Sequence, residues 1–211
     1  MRDEETGSWW QQVSGEAIQG ASKGAKLENV AIDELTFAVW KHENPNGRVL
    51  RPDAEILAAN KYESADWENQ VAKMPVRIGD RLDATLEART LVVGISVNNR
   101  TKAYPFSALQ KQSPILDSVG GTAIMVILNE DGKSVRAFER KVNGKTSEFF
   151  VKPETAEIVD AETGSVWNFA GEAVGGDLTG ARLERIQVLK DYWFDWKNYH
   201  PETQLYTLGS R

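Results

Sequence analysis

Two stretches of this chain, one near each end, carry the same sequence pattern. The run Asp3-Glu4-Glu5-Thr6-Gly7-Ser8-Trp9-Trp10 matches residues 160–167 at six of eight positions. After one inserted residue in the first stretch the match continues, giving seventeen identities in all. So many identities in one register exceed what average composition produces by chance. The sequence therefore predicts two copies of one structural element, at residues 3–50 and 160–206.

The two copies differ in what precedes them, and this difference predicts the domain organisation. Residues 76–159 precede the second copy, and the first copy has no comparable segment before it. We therefore expect residues 1–50 to be a partial repeat, 51–75 a connector and 76–211 a complete repeat domain. The chain is then either a fragment of a longer two-repeat protein or a short protein that has lost half of its first repeat. A secretory signal upstream of such a fragment would export it, so the compartment, cytoplasmic or exported, stays open.

Composition narrows the classes of function. The chain has 25 Lys and Arg against 31 Asp and Glu, a net charge of −6, and such a balance opposes binding to a phosphate backbone. Nucleic acid is therefore not an expected partner.

With no cysteine and two histidines, the chain has no disulfide, no thiolate metal site and no cysteine nucleophile, and we expect no metal and no cofactor. No stretch approaches ~18 consecutive apolar residues, so we expect a soluble chain without a transmembrane segment.

The middle of the chain has the pattern of an antiparallel sheet. Short apolar or alternating runs predict strands at Leu91–Val97, Thr101–Tyr104, Thr122–Leu128, Ser134–Arg140 and Lys145–Val151. These runs are separated by turn dipeptides that tolerate positive φ, namely Asn98-Asn99, Asp131-Gly132 and Asn143-Gly144. Phe106–Lys111 is predicted to be a short helix. The predicted fold class is β-rich α+β, an antiparallel meander or barrel-like sheet with short helices and a partial internal duplication.

Each copy also predicts one short helix with two aromatic residues spaced three apart. These helices are expected at Thr36–Glu43 and Asp191–His200, each ending ahead of a proline. Asp33 or Thr36 is the expected N-cap of the first helix, and Asp191 that of the second.

The motifs of the second copy and of the strands before it resemble a known family. The runs that carry the resemblance are Val93-Gly94-Ile95, Lys102-Ala103-Tyr104-Pro105-Phe106, Asp117-Ser118-Val119-Gly120-Gly121, Thr163-Gly164-Ser165-Val166-Trp167 and His200-Pro201-Glu202-Thr203. Over about residues 88–206 the chain resembles the domain of unknown function 3179 family. The first copy resembles the tail of a preceding domain of the same kind.

Two runs typical of that family are replaced in this chain. Family members carry Cys-Pro-Leu-Cys-Gly after the strand that corresponds to Thr122–Leu128, and Asn-Ser-Asp-Leu ahead of the Asp-x-x-Thr-Gly-Ser turn. Asn129-Glu130-Asp131-Gly132 and Glu154-Thr155-Ala156-Glu157 stand in those places. The resemblance therefore implies the fold and the repeat, and it implies no activity, metal or redox chemistry for this chain.

Two acidic residues of the second copy form the candidate catalytic pair. Hydrolysis of a glycosidic bond uses two carboxyl groups ~5–9 Å apart, and Asp160 and Glu172 are the candidates, with Tyr104 as a hydrogen-bond donor. The alternative is structural, because the Asp of an Asp-x-Glu-Thr-Gly-Ser turn accepts from backbone N–H groups. With 31 acidic residues among 211, two of them lying close in sequence is ordinary. Both interpretations stay open.

Tryptophans are concentrated in the two copies. Trp10 and Trp167 occupy equivalent positions, as do Trp40 and Trp196, and this favours places in the core. Tryptophan also stacks on sugar faces, so Trp167 is kept as a candidate for ligand binding. Trp9 has no tryptophan as its counterpart, which makes it the better candidate for a surface role.

Three functional hypotheses follow. The first is a non-catalytic binding or scaffolding module of a longer protein, with an unidentified small molecule or protein as its partner. The second is a hydrolase that uses Asp160 and Glu172. The third adds a homodimer, because an unfinished first copy leaves a sheet edge or an apolar face uncovered.

Overall fold

The structure is a computed structural model that describes residues 1–11, 14–28, 30, 32–59, 64, 66–76, 82–153, 155 and 157–209. The chain divides into two compact units, Met1–Ile32 and Asp33–Arg211. Residues 60–63 and 65 of the predicted connector, and Glu154 and Ala156 of the run that replaces a family motif, lie outside the described residues. The domain boundaries expected at residues 50 and 75 stay predictions.

The first unit contains a small antiparallel sheet of β1 (Trp9–Trp10) and β2 (Ala17–Gln19). A shift of register within β1 places Trp10 opposite Ala17, which is fully buried. The face of this sheet that carries the Ala17 side chain is therefore its buried face.

The second unit contains short helices and longer strands. The helices are α1 (Phe37–Glu43), α2 (Ala54–Ala58), α3 (Trp67–Lys73), α4 (Phe106–Lys111) and α5 (Trp193–Tyr199). The strands are β3 (Leu91–Val97), β4 (Arg100–Pro105), β5 (Ile115–Val119), β6 (Thr122–Leu128), β7 (Val135–Glu139), β8 (Lys141–Val142), β9 (Lys145–Thr146), β10 (Phe149–Val151), β11 (Ile158–Asp160), β12 (Val166–Trp167), β13 (Ala173–Gly175), β14 (Arg185–Ile186), β15 (Val188–Tyr192) and β16 (Gln204–Leu205). Across the described residues, every helix is too short or too polar to span a bilayer.

The strands of the second unit form several open sheets. Three of them have four strands each, in the orders β15-β3-β4-β16, β14-β7-β6-β5 and β10-β11-β12-β13, and β8 and β9 form a hairpin. Neighbouring strands are antiparallel except for β16, which pairs parallel with β4. The β-rich α+β prediction with antiparallel sheets is therefore confirmed. The barrel-like closure is corrected, because within the described residues each four-stranded sheet ends in edge strands and none closes on itself.

Several predicted elements have the predicted bounds. Largely apolar runs define β3 and β6, and α4 also begins and ends where the sequence indicates. Thr36 is the N-cap of α1, because its hydroxyl accepts the backbone N–H of Val39 at 3.4 Å. These elements are set by local pattern and capping alone.

Other predicted elements are wrong in detail. Asp191 does not cap α5; its carboxylate accepts the N–H of Tyr192, the N-cap residue, which makes no side-chain cap bond. The predicted strand Lys145–Val151 is two short strands, because β9 pairs with β8 whereas β10 pairs with β11. The strand β5 was missed, since its Asp117 and Ser118 interrupt the apolar pattern.

The sheet of β5, β6, β7 and β14 lies between two core clusters. Ile124 and Val126 of β6 face a cluster that includes β3 and β4 side chains, and Met125 and Ile127 face a second cluster with Trp167. Alternate residues of a strand point to opposite faces, so β6 is buried on both. A charged residue on such a strand needs partners, and β7 carries one.

Trp196 of α5 packs against β3 where a glycine makes room. Trp196 is 3% exposed, and a Cβ added at Gly94 would overlap its ring. The indole N–H donates to Thr203 Oγ1 at 2.9 Å, which satisfies the buried polar atom. The contact fixes α5 on the sheet.

We expect Gly94→Ala to lower the free energy of unfolding by about 2 kcal/mol, because the added methyl group overpacks a filled site. Gly175→Ala is the matched control, since its nearest neighbour, Val166 Cβ, would lie 3.7 Å away. Its free energy of unfolding should change by less than about 1 kcal/mol. Urea unfolding followed by tryptophan fluorescence measures both, and equal effects would contradict the overlap.

Candidate functional site

A charged side chain lies on the inner face of β7. Arg136 is 4% exposed and shares its face with the buried Phe138. Its Nε and Nη2 donate to Asp33 Oδ2 at 3.0 and 2.7 Å, and its Nη1 and Nη2 donate to the two Glu43 carboxylate oxygens at 2.6 and 2.7 Å. Nη1 also donates to Phe169 O at 3.4 Å. All five N–H groups have partners, which is what a buried guanidinium requires.

These contacts keep both signs of charge ionised. Burial would lower the pKa of Arg136, but the hydrogen bonds to Glu43 and Asp33 raise it above its ordinary value. Burial would raise the pKa of Asp33, but Arg136 and Arg185 lower it overall. Arg185 Nη2 adds a third donor to Asp33 Oδ2 at 2.6 Å. The network is therefore a permanent set of ion pairs near neutral pH.

A second polar cluster holds the start of α1 against the turn between β6 and β7. Thr36 Oγ1 and Ser134 Oγ donate to Asp131 Oδ2 at 2.7 and 2.6 Å, and the Thr36 N–H donates to Ser134 Oγ at 3.0 Å. Burial would raise the pKa of Asp131, but the bonds from Ser134 and its neighbours lower it well below the ordinary value. The segment from Asp33 to Glu43 is thus fixed at both of its ends.

A cavity of about 950 Å³ lies beside this segment, and we call it the charged cavity. Its polar lining is Asp33, His42, Glu43, Asn44, Asn129, Glu130, Arg136, Asn168, Glu172 and Arg185. Asn129 and Glu130 belong to the run that replaces the cysteine-containing family motif. Two positions of that replaced run therefore line this cavity.

Glu172 is the sequence-predicted candidate that the structure places in the charged cavity. Its Oε1 pairs with Arg182 Nη2 at 2.5 Å, and its Oε2 accepts the Asn168 Nδ2–H at 3.4 Å. The Glu172 N–H donates to Asn168 Oδ1 at 3.0 Å. The Arg182 side chain is largely exposed, so this ion pair is held loosely.

Asp160 lies in a different environment and is not among the residues that line the charged cavity. It is 1% exposed, and its Oδ2 accepts the Trp167 indole N–H at 3.0 Å. Its Oδ1 accepts the backbone N–H and the hydroxyl of Thr163 at 2.7 and 2.8 Å. Burial would raise the pKa of Asp160, but these hydrogen bonds lower it. The Asp160 carboxylate thus stabilises the turn that follows β11 by accepting these hydrogen bonds in a buried position.

Tyr104 lies in the core of the second unit. It is fully buried, and its hydroxyl donates to Asp117 Oδ2 at 2.8 Å. Lys102 Nζ pairs with the same oxygen at 2.6 Å. Burial and then the Asp117 charge raise the pKa of Tyr104 far above its ordinary value. Tyr104 is outside the lining of the charged cavity, so the three catalytic candidates do not share that cavity.

The two predicted copies make matching hydrogen bonds. The Trp10 indole N–H donates to Asp3 Oδ2 at 2.7 Å, as the Trp167 indole does to Asp160. Trp167 is 3% exposed and packs edge-on against Phe149, whereas Trp9 is 49% exposed. An exposed Trp9 agrees with a surface role, and its binding role stays a prediction, as does that of Trp167.

Asp191 is a titratable group that the sequence predicts only as a helix N-cap. It lines a second cavity of about 780 Å³ together with Phe37, Phe106 and Tyr192. Burial, and then the nearby Asp195 charge, raise the pKa of Asp191 to about 6. Its position near the end of β15 gave no signal of this, because burial of the side chain arises from tertiary packing.

Comparisons with known proteins give one match. The family model described as "Protein of unknown function (DUF3179)" matches residues 1–203. Searches of curated proteins and of solved structures give no match.

Among the described residues, no group of three or more His, Asp or Glu side chains is placed to hold a metal ion.

We expect Arg136→Met to lower the free energy of unfolding by about 3 kcal/mol, because Asp33 and Glu43 would lose their buried partner. The matched control is Arg182→Met, which breaks the exposed pair with Glu172 and should cost less than about 1 kcal/mol. Adding Asp33→Asn and Glu43→Gln to Arg136→Met should recover part of the loss. Chemical unfolding measures all three proteins, and no recovery in the triple variant would contradict the charge argument.

Proposed function

Because the chain belongs to the DUF3179 family of proteins of unknown function, we propose its role from geometry: a non-catalytic module that binds a neutral, hydroxyl-rich small molecule. The charged cavity is the proposed site. Its volume of about 950 Å³ is at the upper end of the range typical of small-molecule sites, ~300–1,000 Å³.

The observation that carries the proposal is that most ionic groups of this cavity already have partners. Asp33 and Glu43 are matched by Arg136 and Arg185, and Glu172 is matched by Arg182, which lies outside the lining. Among the described lining residues, the exposed Glu130 is the carboxylate without such an ion pair. Groups that are already paired attract a charged ligand weakly, and their carboxylate oxygens remain acceptors that suit the hydroxyl groups of a sugar or polyol.

The amide side chains of the lining add donors and acceptors of the same kind. Asn168 contributes its side chain to the cavity beside Glu172, and Asn129 and His42 lie in the same lining. Because Asp33 and Glu43 are held by Arg136, these walls are pre-organised and need little ordering on binding. This supports recognition by hydrogen bonds with a modest loss of entropy.

The environment of Asp160 favours binding over the alternative of a hydrolase. A general acid for glycoside hydrolysis needs a raised pKa, and hydrogen bonds lower that of Asp160. A catalytic Glu172 would also need a second carboxyl group beside it in the cavity. Asp33 and Glu43 lie in the same lining, but both are engaged with Arg136. Glu130 also lies there, so the hydrolase alternative would need it as the second carboxyl group.

We expect glycerol, glucose or trehalose to shift the NMR signals of the Asn168 side-chain amide and the Phe169 backbone, whereas citrate and spermidine leave them unchanged. Glu172→Gln should weaken the binding about tenfold, since a charge-assisted hydrogen bond contributes roughly 1.5 kcal/mol. Glu202→Gln, an exposed glutamate outside the cavity lining, is the control and should bind as the unaltered chain does.

The same variants separate binding from catalysis. Turnover of chromogenic glycosides that is lost in Glu172→Gln and kept in Glu202→Gln would overturn the non-catalytic proposal in favour of the hydrolase. Tighter binding of spermidine than of any polyol would contradict the neutral character proposed for the ligand.

The homodimer also stays a proposal, and a comparison of two helices supports it. Phe37 of α1 is 61% exposed, whereas its counterpart in the second copy, Trp193 of α5, is 1% exposed. Phe37 stacks on Trp40 with ring centroids 5.7 Å apart, so α1 presents a small aromatic face. Such a face favours association with a second copy of the chain.

We expect light scattering to give a dimer mass at micromolar concentration and Phe37→Ser to shift the mass to that of a monomer. Leu57→Ser is the control, because Leu57 is also exposed, at 59%, on the helix α2. A monomeric mass for the unaltered chain, or an equal effect of both substitutions, would contradict association through α1.

A further inference from the structure

The Arg140 guanidinium, which follows β7, uses only one of its nitrogens for hydrogen bonds among the described residues. Nη1 donates to Ser147 O at 2.9 Å and to Glu148 Oε1 at 2.6 Å. Nε is sealed from solvent without a hydrogen-bond partner, the one such buried side-chain atom in the described part of the chain. An unsatisfied buried donor costs roughly 1–3 kcal/mol, so its presence calls for an explanation.

The free nitrogens lie on the same edge of the guanidinium. Nε and Nη2 form the planar fork that pairs with both oxygens of a carboxylate. Because the Arg140 side chain is 11% exposed and Nη1 is tied to Ser147 and Glu148, the guanidinium is anchored at Nη1 and the fork can turn only slightly. A fork of this kind is pre-organised for one planar anion.

Arg140 lines a cavity of about 630 Å³, which we call the Arg140 cavity. Its other walls include Leu116, Phe149, Phe150, Val151 and Tyr206. These side chains are apolar or aromatic, and Phe150 is 47% exposed, so one side of the cavity is accessible and apolar. The rest of the lining is polar and includes Gln112, Ser113, Asp117 and Glu148. A ligand that fits both sides has a small apolar body and a polar acceptor group.

The acidic groups near Arg140 already have cationic or hydrogen-bonding partners. Asp117, which also lines the cavity, pairs with Lys102 Nζ at 2.6 Å and accepts the Tyr104 hydroxyl at 2.8 Å. Glu148 is 62% exposed and engages the opposite edge of Arg140. Neither carboxylate occupies the Nε and Nη2 edge, so an incoming anion can take it.

We infer that the Arg140 cavity is a second ligand site, separate from the charged cavity, and that it binds a small organic carboxylate with an apolar body. The carboxylate accepts from Nη2 and Nε, after a small rotation of the guanidinium, and the body lies against Phe150 and Leu116. The site takes a planar anion, whereas the charged cavity takes a neutral polyol, so the two proposals stand or fall separately.

The test is a titration of the intact chain with sodium phenylacetate at constant ionic strength, followed through the NMR signal of the Arg140 Nε–H. We expect a saturable downfield shift with a Kd in the low millimolar range, about −4 kcal/mol of binding free energy. Phenylacetamide, which has the same body without the charge, should bind at least tenfold more weakly. Inorganic phosphate, which lacks the body, should also bind more weakly.

Three variants sharpen the result. Arg140→Lys keeps the charge but loses the fork, and should weaken phenylacetate binding at least tenfold. Arg100→Lys is the matched control at an exposed arginine at the start of β4, and should bind as the unaltered chain does. Phe150→Ala should weaken binding without altering the fold, since Phe150 is half exposed. A thermal melt of each variant without ligand checks that it is folded.

An Nε–H signal that does not move with phenylacetate, or moves equally with sodium chloride, would overturn the inference. Equal binding of phenylacetamide would reduce the site to an apolar pocket, and tighter binding of phosphate would make it a general anion site. Either result would also overturn the carboxylate assignment. None of these outcomes affects the polyol test, which is measured at Asn168 and Phe169.

Discussion

The polar arrangement of the second unit depends on one guanidinium placed in the middle of a buried strand. Arg136 could not remain at 4% exposure without Asp33 and Glu43, because an unpaired buried charge costs several kcal/mol. The three side chains bring the segment before β3 onto the central sheet and fix the walls of the charged cavity. Well-packed apolar residues in place of all three side chains would be comparably stable, so the ion pairs specify where α1 lies rather than adding net stability.

The second recurring constraint is a turn in which an aspartate accepts a tryptophan N–H. Asp160 binds Trp167 in the second unit, and Asp3 binds Trp10 in the first. Gly176 passes Ser165 so closely that a Cβ would lie 2.7 Å from its Cα, and Gly20 passes Ser8 at the same distance. The helices that follow also end alike, with cap dihedrals of −126° and 67° at Asn44 and −127° and 66° at His200. These parallels support the duplication proposed from the sequence.

Local pattern was enough for several elements but not for the sites. The largely apolar runs Leu91–Val97 and Thr122–Leu128 defined two central strands, because a strand buried on both faces is apolar along most of its length. The pairing of Arg136 with Asp33 could not be predicted in the same way, since 103 residues separate them and no periodicity links them. An arginine inside the run Ser134–Arg140 was the available signal, because a charge on a buried strand needs a partner. Asp191 gave no such signal, because its raised pKa comes first from burial and then from the nearby Asp195 charge.

The long sequence separation of the Arg136 network has a consequence for how the chain is made. Residues 33–43 leave the ribosome well before β7 exists, so the two acidic groups spend that interval in water without the cation that will neutralise them. The contact that joins these segments across 103 residues can form only after β7 has been synthesised. The α1 segment is therefore an early-synthesised, late-docking arm, and a chaperone that meets the nascent chain would find its aromatic face still uncovered.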